Sequence, residues 1–382
     1  MLPRLFILAA LALSATAQKP PAASASPTPS AGGFQFKEQY PNPGSVPTPK
    51  PEWMDLLKSA NISNAPVLKG GSDGPKQSGD SDPYCDWTFT GCTRPDDIVA
   101  CPKGDWGITY DDGPTEFSPK LYDFLDKSNQ KATLFMIGGQ VVRYPDLTMR
   151  AYKAGHELAM HTWSHSYLTT QTNEQIVAEL KWTEQAIKEV TGVSPRFYRP
   201  PYGDIDDRVR DIAKALGFTA VIWNHDTDDW KVDEDPSFKE TWIDGNVTEW
   251  AAEASTATEG GISLEHDLYQ KTVDAAIRVL PVLQKAYNVK TVGACMKQPS
   301  YKEGNATVPT NATSSTAASS SAAATSSSSL SSSSSSELSP AGSNVSQTKG
   351  QEAQEKEGSA AAQVAVSSLG VMLVVAASYV LA

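Results

Sequence analysis

Apolar positions along the chain fall into short runs, separated by stretches in which they recur every three or four residues. The runs 105–111, 132–137, 156–161, 196–199, 219–224, 261–266 and 290–295 read as strands, and the intervening spacing reads as helices. One helical stretch lies between Asn173 and Thr191, where Ile176, Val177, Leu180, Ile187 and Val190 share a face; Val273, Ile277, Leu280 and Val282 behave alike before the last run. Repeated strand–helix alternation predicts an α/β fold with a parallel sheet and outer helices. The strands are apolar along their length, as strands covered on both faces are. A (β/α) barrel and an open doubly wound sheet both fit the pattern. No G-x-G-x-x-G follows the first run, which disfavours the nucleotide-binding version. Residues 99–296, about 200, suffice for one sizeable core.

Outside this block the pattern disappears. Arg4, the apolar run Leu5–Leu13 and Ala15-Thr16-Ala17 read as a secretory signal peptide over 1–17. Residues 18–98 are rich in Pro, Ser and Gly, with a short amphipathic piece near Trp53–Leu57, and read as an extension or linker that packs in part on the domain. Residues 297–358 read as a Ser/Thr-rich glycosylated stalk, since 305–346 lack any apolar periodicity with which to build a core. Residues 364–382 are apolar with no charge after them, and small residues including Gly358 and Ser359 lie upstream. That order predicts a glycolipid (GPI) anchor signal over 359–382, removed on maturation. Sequons at Asn61, Asn246, Asn305, Asn311 and Asn344 predict a glycoprotein of the secretory pathway, held on the outer face of the cell membrane and in the cell wall.

The four cysteines imply two disulfides in an oxidising compartment. Three pairings are open; the favoured one is Cys101–Cys295, which flank the structured block, with Cys85–Cys92 closing a small loop. A formal net charge of −12 and a pI near 4.9 argue against a nucleic-acid partner.

Chemistry in such folds sits at the C-terminal ends of the strands. Asp111, Asp112, His161, Arg199, His225, Asp226 and His266 all fall at predicted strand ends. His161 and His165, four apart in HTWSH, would point to one side on a helix or a tight loop. Two histidines and one carboxylate leave open positions on a Zn²⁺ ion, and a second carboxylate off the metal could take a proton from water. Arg199 could keep an aspartate ionised and oriented. His266 could protonate a leaving group, oriented by Asp226, Asp228 or Asp229 of the DTDDW run.

TYDDG, HTWSH, RPPYG, DTDDW and LEH, in that order, resemble the five motifs of the polysaccharide deacetylases of carbohydrate esterase family 4, the NodB homology domain. The resemblance covers about residues 99–296, and the secreted, lipid-anchored context is similar to that of fungal chitin deacetylases. It implies a distorted (β/α) barrel, incomplete relative to a TIM barrel. It implies Asp111 as the catalytic base, Asp112, His161 and His165 as metal ligands, and Arg199 as the residue orienting the base. Tyr202 would supply an oxyanion N–H, and Trp230 and Leu264 the walls of an acetyl pocket. His266 would be the general acid, with Asp229 the chosen partner among three acids. The family often has Phe where Tyr110 stands. The implied cofactor is Zn²⁺, with Co²⁺ as the alternative, and the implied substrate is chitin, a β-1,4-GlcNAc polymer, deacetylated by a monomer. Two other readings are an O-deacetylase of the same fold, acting on acetylated xylan for example, and a non-catalytic wall-binding or adhesion protein.

Overall fold

The computed structural model describes residues 33–304, except 72–73, 78 and 80. The signal peptide, Asn305, Asn311, Asn344, most of the stalk, and the anchor signal with Gly358 and Ser359 lie outside the described residues. Asn61 is exposed and Asn246 partly so.

The core is a set of parallel strands: β1 (Asp105–Gly107), β2 (Thr109–Asp111), β3 (Thr133–Met136), β4 (Glu157–Met160), β5 (Phe197–Tyr198), β6 (Thr219–Ala220), β7 (His225–Asp226), β8 (Gly261–Leu264) and β9 (Asn288–Lys290). They form two sheets, ordered β2-β3-β4-β5-β6 and β9-β1-β8-β7, and every neighbouring pair is parallel. The predicted strand 105–111 is thus divided at Ile108, with one half in each sheet. The stretch 219–226 likewise leaves one sheet at β6 and enters the other at β7. A bridge from Asp111 to His266 further joins the sheets. The strands therefore wrap as an incomplete, distorted (β/α) barrel.

Helices cover the outside, among them α1 (Ser118–Lys127), α2 (Gly138–Arg143), α3 (Asn173–Thr191), α4 (Asp207–Ala215), α5 (Gln270–Ala286) and α6 (Val292–Met296). In α3 the Thr172–Gln175 capping box satisfies the first free N–H groups, and left-handed Gly192 ends the helix. Its face Ile176, Val177, Leu180, Ile187 and Val190 is buried, as the spacing predicts. The predicted strand 290–295 is not one. The strand ends at Lys290, and Thr291 accepts a bond from the Ala294 N–H and starts α6, which carries Cys295 to Cys101. A side-chain cap offering the backbone a helical start outweighs the apolar run.

Packing extends beyond 99–296 at both ends. Trp182, Gln185 and Glu189, on the outer side of α3, meet Thr48, Lys50 and Tyr40 of the extension. Disulfide Cys85–Cys92 and the backbone carbonyls of both its cysteines sit on Arg210 of α4. Tyr301 is buried at 1% exposure, and the Ser300 carbonyl accepts from the Arg196 N–H.

Candidate active site

β2 ends at Asp111, and in an extended strand the next side chain would point to the opposite face. Asp112 instead adopts φ 77°, so both carboxylates serve one site. Asp111 Oδ2 lies 3.9 Å and Asp112 Oδ1 3.5 Å from His161 Nε2. His161 follows β4 and is placed by its N–H donating to the Met136 carbonyl. His165 Nε2 is 3.3 Å from the same Asp112 oxygen. The histidines are four apart on a tight loop, not a helix, and both Thr162 (φ 62°) and His165 (φ 58°) are left-handed. A non-glycine residue held there costs about 1–3 kcal/mol, so the surroundings must hold the loop in place.

One ligand atom from each of Asp112, His161 and His165 lies within 4.8 Å of the others. The Nδ1 of His161 is 2.8 Å from the Arg199 carbonyl, which places its proton there and turns the Nε2 lone pair toward Asp112. Burial, the main cause, pushes the His161 pKa down to about 3 and also lowers that of His165, so both rings are neutral. Asp112 Oδ1 is buried and accepts no hydrogen bond among the described residues. Converging lone pairs with no proton between them are the donor set of a divalent cation, and these residues fit one.

Beside this cluster, Asp111 Oδ1 accepts a 2.9 Å bond from Arg199 Nη1, while its Oδ2 accepts no hydrogen bond among the described residues. Arg199 is completely buried, with its guanidinium 4.2 Å over the Phe135 ring. Burial raises the Asp111 pKa to about 6, against the pull of Arg199. This is a carboxylate that is ionised at neutral pH and still basic enough to accept a proton.

Across the site His266 is bound twice by one carboxylate. Its Nδ1 lies 2.6 Å from Asp229 Oδ1, and its backbone N–H donates to Asp229 Oδ2 at 2.9 Å. Asp226 is only partly buried and accepts from the Asp228 N–H, and Asp228 pairs with Lys231, so of the three acids Asp229 is the one on His266. Burial works against the imidazolium, but Asp229, aided by the nearby Asp112 and Asp111, outweighs it and raises the His266 pKa to about 10. His266 is therefore a protonated donor at neutral pH.

Tyr202 is 48% exposed, at φ 60°, with its ring 4.7 Å from that of His165 and stacked on Tyr167 at 4.0 Å. Leu264 is buried at the end of β8 and its carbonyl receives the Thr227 hydroxyl; Trp230 is half-exposed directly after Asp229. His225, also at a strand end, packs instead between Trp106 and Trp250.

Two contributors escape a reading of the motifs. Thr109 Oγ1 accepts from Arg199 Nη1 at 2.7 Å; its signal is its place two residues before Asp111 on the same strand face. Glu179 accepts the backbone N–H groups of Trp163 (2.7 Å) and Ser164 (2.9 Å), clamping the loop between the two histidines. Its signal is an acid inside the apolar stripe of α3, between Ile176 and Leu180.

The profile of the family described as Polysaccharide deacetylase matches residues 99–221. The chain is 42% identical over 263 residues to chitin deacetylase 1 of Cryptococcus neoformans var. grubii, covering 64% of this chain and 55% of that protein. It is 38% identical over 286 residues to chitin deacetylase 3 of Cryptococcus neoformans var. neoformans, covering 70% and 68%. The chain belongs to the polysaccharide deacetylase family. A third relative, chitin deacetylase 1 of Saccharomyces cerevisiae, is 32% identical over 275 residues, covering 67% of this chain and 86% of that one. The chain spans just over half the length of the first of these relatives.

Proposed function

We propose that this protein is a metal-dependent chitin N-deacetylase, releasing acetate from the GlcNAc units of chitin and leaving chitosan at the fungal cell wall. The observation that carries the reading is the Asp112–His161–His165 cluster flanked by an ionised base, Asp111, and a protonated acid, His266. A divalent ion at that cluster, Zn²⁺ or alternatively Co²⁺, would lower the pKa of a water toward neutrality and polarise a carbonyl. The relatives named above as chitin deacetylases support a chitin substrate.

The chain's own residues divide the proton work. Asp111 accepts the proton of the attacking water through Oδ2, which takes no hydrogen bond among the described residues, while Arg199 holds Oδ1. Oxyanion charge on the acetamide is met by the Tyr202 N–H. An amide nitrogen cannot leave as an anion, so it must gain a proton; His266 donates it, and Asp229 stabilises and orients the imidazolium. Trp230 and Leu264 enclose the acetyl methyl, which limits the acyl group to a small one.

The protein acts, in this reading, as a secreted glycoprotein on the outer face of the membrane, tethered by a glycolipid. The two disulfides support an oxidising destination. Release by phosphatidylinositol-specific phospholipase C tests the tether; a protein that stays on the membrane refutes it. For the activity, purified protein is incubated with GlcNAc oligomers and with acetylated xylan, with and without chelator. Chelator-sensitive acetate release from the oligomers is expected. Release from xylan alone would replace the reading with an O-deacetylase.

A further inference from the structure

Trp163 stands between the two histidines of HTWSH and is completely buried. Every polar group it carries is used. Its backbone N–H goes to Glu179, its carbonyl accepts from the Gly139 N–H at 3.2 Å, and its indole N–H donates to the Asn42 carbonyl at 3.3 Å. Two of these partners belong to the barrel. The third belongs to the segment before residue 50, which lies outside the matched family region of 99–221.

That segment makes more than one contact with the loop. The Tyr40 ring stacks on Trp163 with centroids 5.9 Å apart and planes 10° from parallel. Pro43 lies so close to Gly139 that a Cβ there would come within 2.9 Å of the proline Cβ. The Tyr40 hydroxyl is itself anchored, donating to Glu189 of α3 at 2.7 Å. Further along, the Thr48 carbonyl accepts from the Trp182 indole, and Trp53 meets Trp182 edge-on at 4.9 Å. The segment is thus a strap fixed to α3 at its far end and pressed on Trp163 at its near end.

We propose that this strap is a positioning element for the metal-binding loop: Tyr40, Asn42 and Pro43 hold Trp163, and Trp163 holds the spacing of His161 and His165. The inference rests on the reading of those histidines as metal ligands. The physical reason is the loop's own conformation. Thr162 and His165 are both left-handed without being glycine, so the chain relaxes away from this geometry unless it is over-determined from outside. The barrel supplies Glu179 and the Gly138-Gly139 N–H groups, which grip backbone; the strap supplies the lateral grip on the side chain between the ligands. Loosening such an outer support weakens metal binding without removing a ligand. The strap therefore links the extension to the metal site, and loss of its near end would detune the metal site while leaving the barrel folded.

The test measures zinc affinity of the full-length protein by competition with a chromophoric chelator, alongside the urea midpoint of the metal-free form. Tyr40→Ala is expected to raise the zinc dissociation constant by about tenfold or more. Tyr40→Phe, which keeps the stacked ring, should stay near wild type. Trp53→Leu loosens the far end of the strap and should lower the urea midpoint with little change in zinc affinity. If Tyr40→Ala does not fold, Trp163→Phe removes the indole N–H to Asn42 together with part of the ring that Tyr40 stacks on, and is expected to shift the affinity in the same direction. A Tyr40→Ala dissociation constant within about twofold of wild type overturns the strap alone. An equal loss in Trp53→Leu also overturns it, because the effect would then be general stability. A wild-type protein that binds no zinc overturns the metal reading and the strap with it.

Discussion

Asp229→Asn removes one charge from the site while keeping the shape of the side chain. In the native protein burial disfavours the His266 imidazolium, and the Asp229 carboxylate beside it, with weaker help from Asp112 and Asp111, lifts its pKa to about 10. Without that charge, burial is the largest influence left, and with only the weaker pull of Asp112 and Asp111 against it the imidazole falls to its ordinary value of about 6.5 or below. At pH 8 the protonated fraction would then be below about 3%. The base has the opposite requirement. Asp111 must be ionised, so activity falls as pH drops through about 6, whereas in the native protein it falls through loss of the acid only as pH rises through about 10. In the variant the two windows barely overlap, and the broad plateau collapses to a low, narrow maximum near pH 6. A positioned general acid is worth about 10²–10⁴ in rate, or about 3–5 kcal/mol of barrier. The predicted loss in kcat on GlcNAc oligomers at pH 8 is of that size, with KM little changed. An acetyl ester with a good leaving group should lose less than about tenfold, because its leaving oxygen needs no proton. The assay is acetate release from both substrates across pH 5 to 10.5, after circular dichroism has confirmed the fold. A descending limb that stays near pH 10 in the variant, or an amide kcat within about tenfold of wild type, would refute the assignment of His266 and Asp229.

His161→Ala and His165→Ala should each abolish turnover and weaken zinc binding, measured by elemental analysis of the pure variants; full occupancy with normal turnover would make the pair bystanders. Asp111→Asn should keep zinc and lose turnover, while Asp112→Asn should lose zinc affinity first, and identical metal titrations would contradict the division of labour. Arg199→Met leaves the Asp111 carboxyl buried without its partner, which should cost about 3–5 kcal/mol in a urea titration as well as activity. Opening Cys101–Cys295, which closes 194 residues of sequence separation, should destabilise by up to about 5 kcal/mol, against about 2–3 for Cys85–Cys92 with its separation of 7; equal losses in thermal scans would argue against a chain-entropy origin.

Much of the barrel is legible because its signals are local. The apolar runs at 132–137, 156–161 and 261–266 are strands wherever they pack, and the Asn173–Thr191 stripe with its Thr172 cap carries its own helix boundaries. The run at 290–295 misleads because a cap at Thr291 and a covalent link at Cys295 compete with apolarity. The extension is compositionally a linker, yet Tyr40 and Trp53, which both meet Trp182 of α3, and Trp87, which meets Trp223 edge-on at 4.8 Å, are spread along it as anchors. Their spacing has no period, since tertiary contacts with Trp182 and Trp223, not a regular element of the extension itself, place them.

The candidate site divides in the same way. The chain's sequence by itself determines which chemical groups are present: the paired carboxylates of TYDDG, the two rings of HTWSH, the guanidinium of Arg199 and the imidazole of His266. It also determines that they fall at strand ends, because periodicity and turn residues are local properties. Only the tertiary structure decides which of them meet. Asp226, Asp228 and Asp229 are equivalent by composition, and a turn in which Asp228 is left-handed sends Asp229 alone to His266. Asp111 and Asp112 are neighbours that a strand would separate, and one left-handed residue brings them to the same face. Protonation belongs to the fold as well. Asp111 becomes a base near 6 because burial outweighs the pull of Arg199, and His266 an acid near 10 because Asp229, with Asp112 and Asp111, outweighs burial. Both depend on distances across segments far apart in the chain, and no local pattern encodes them.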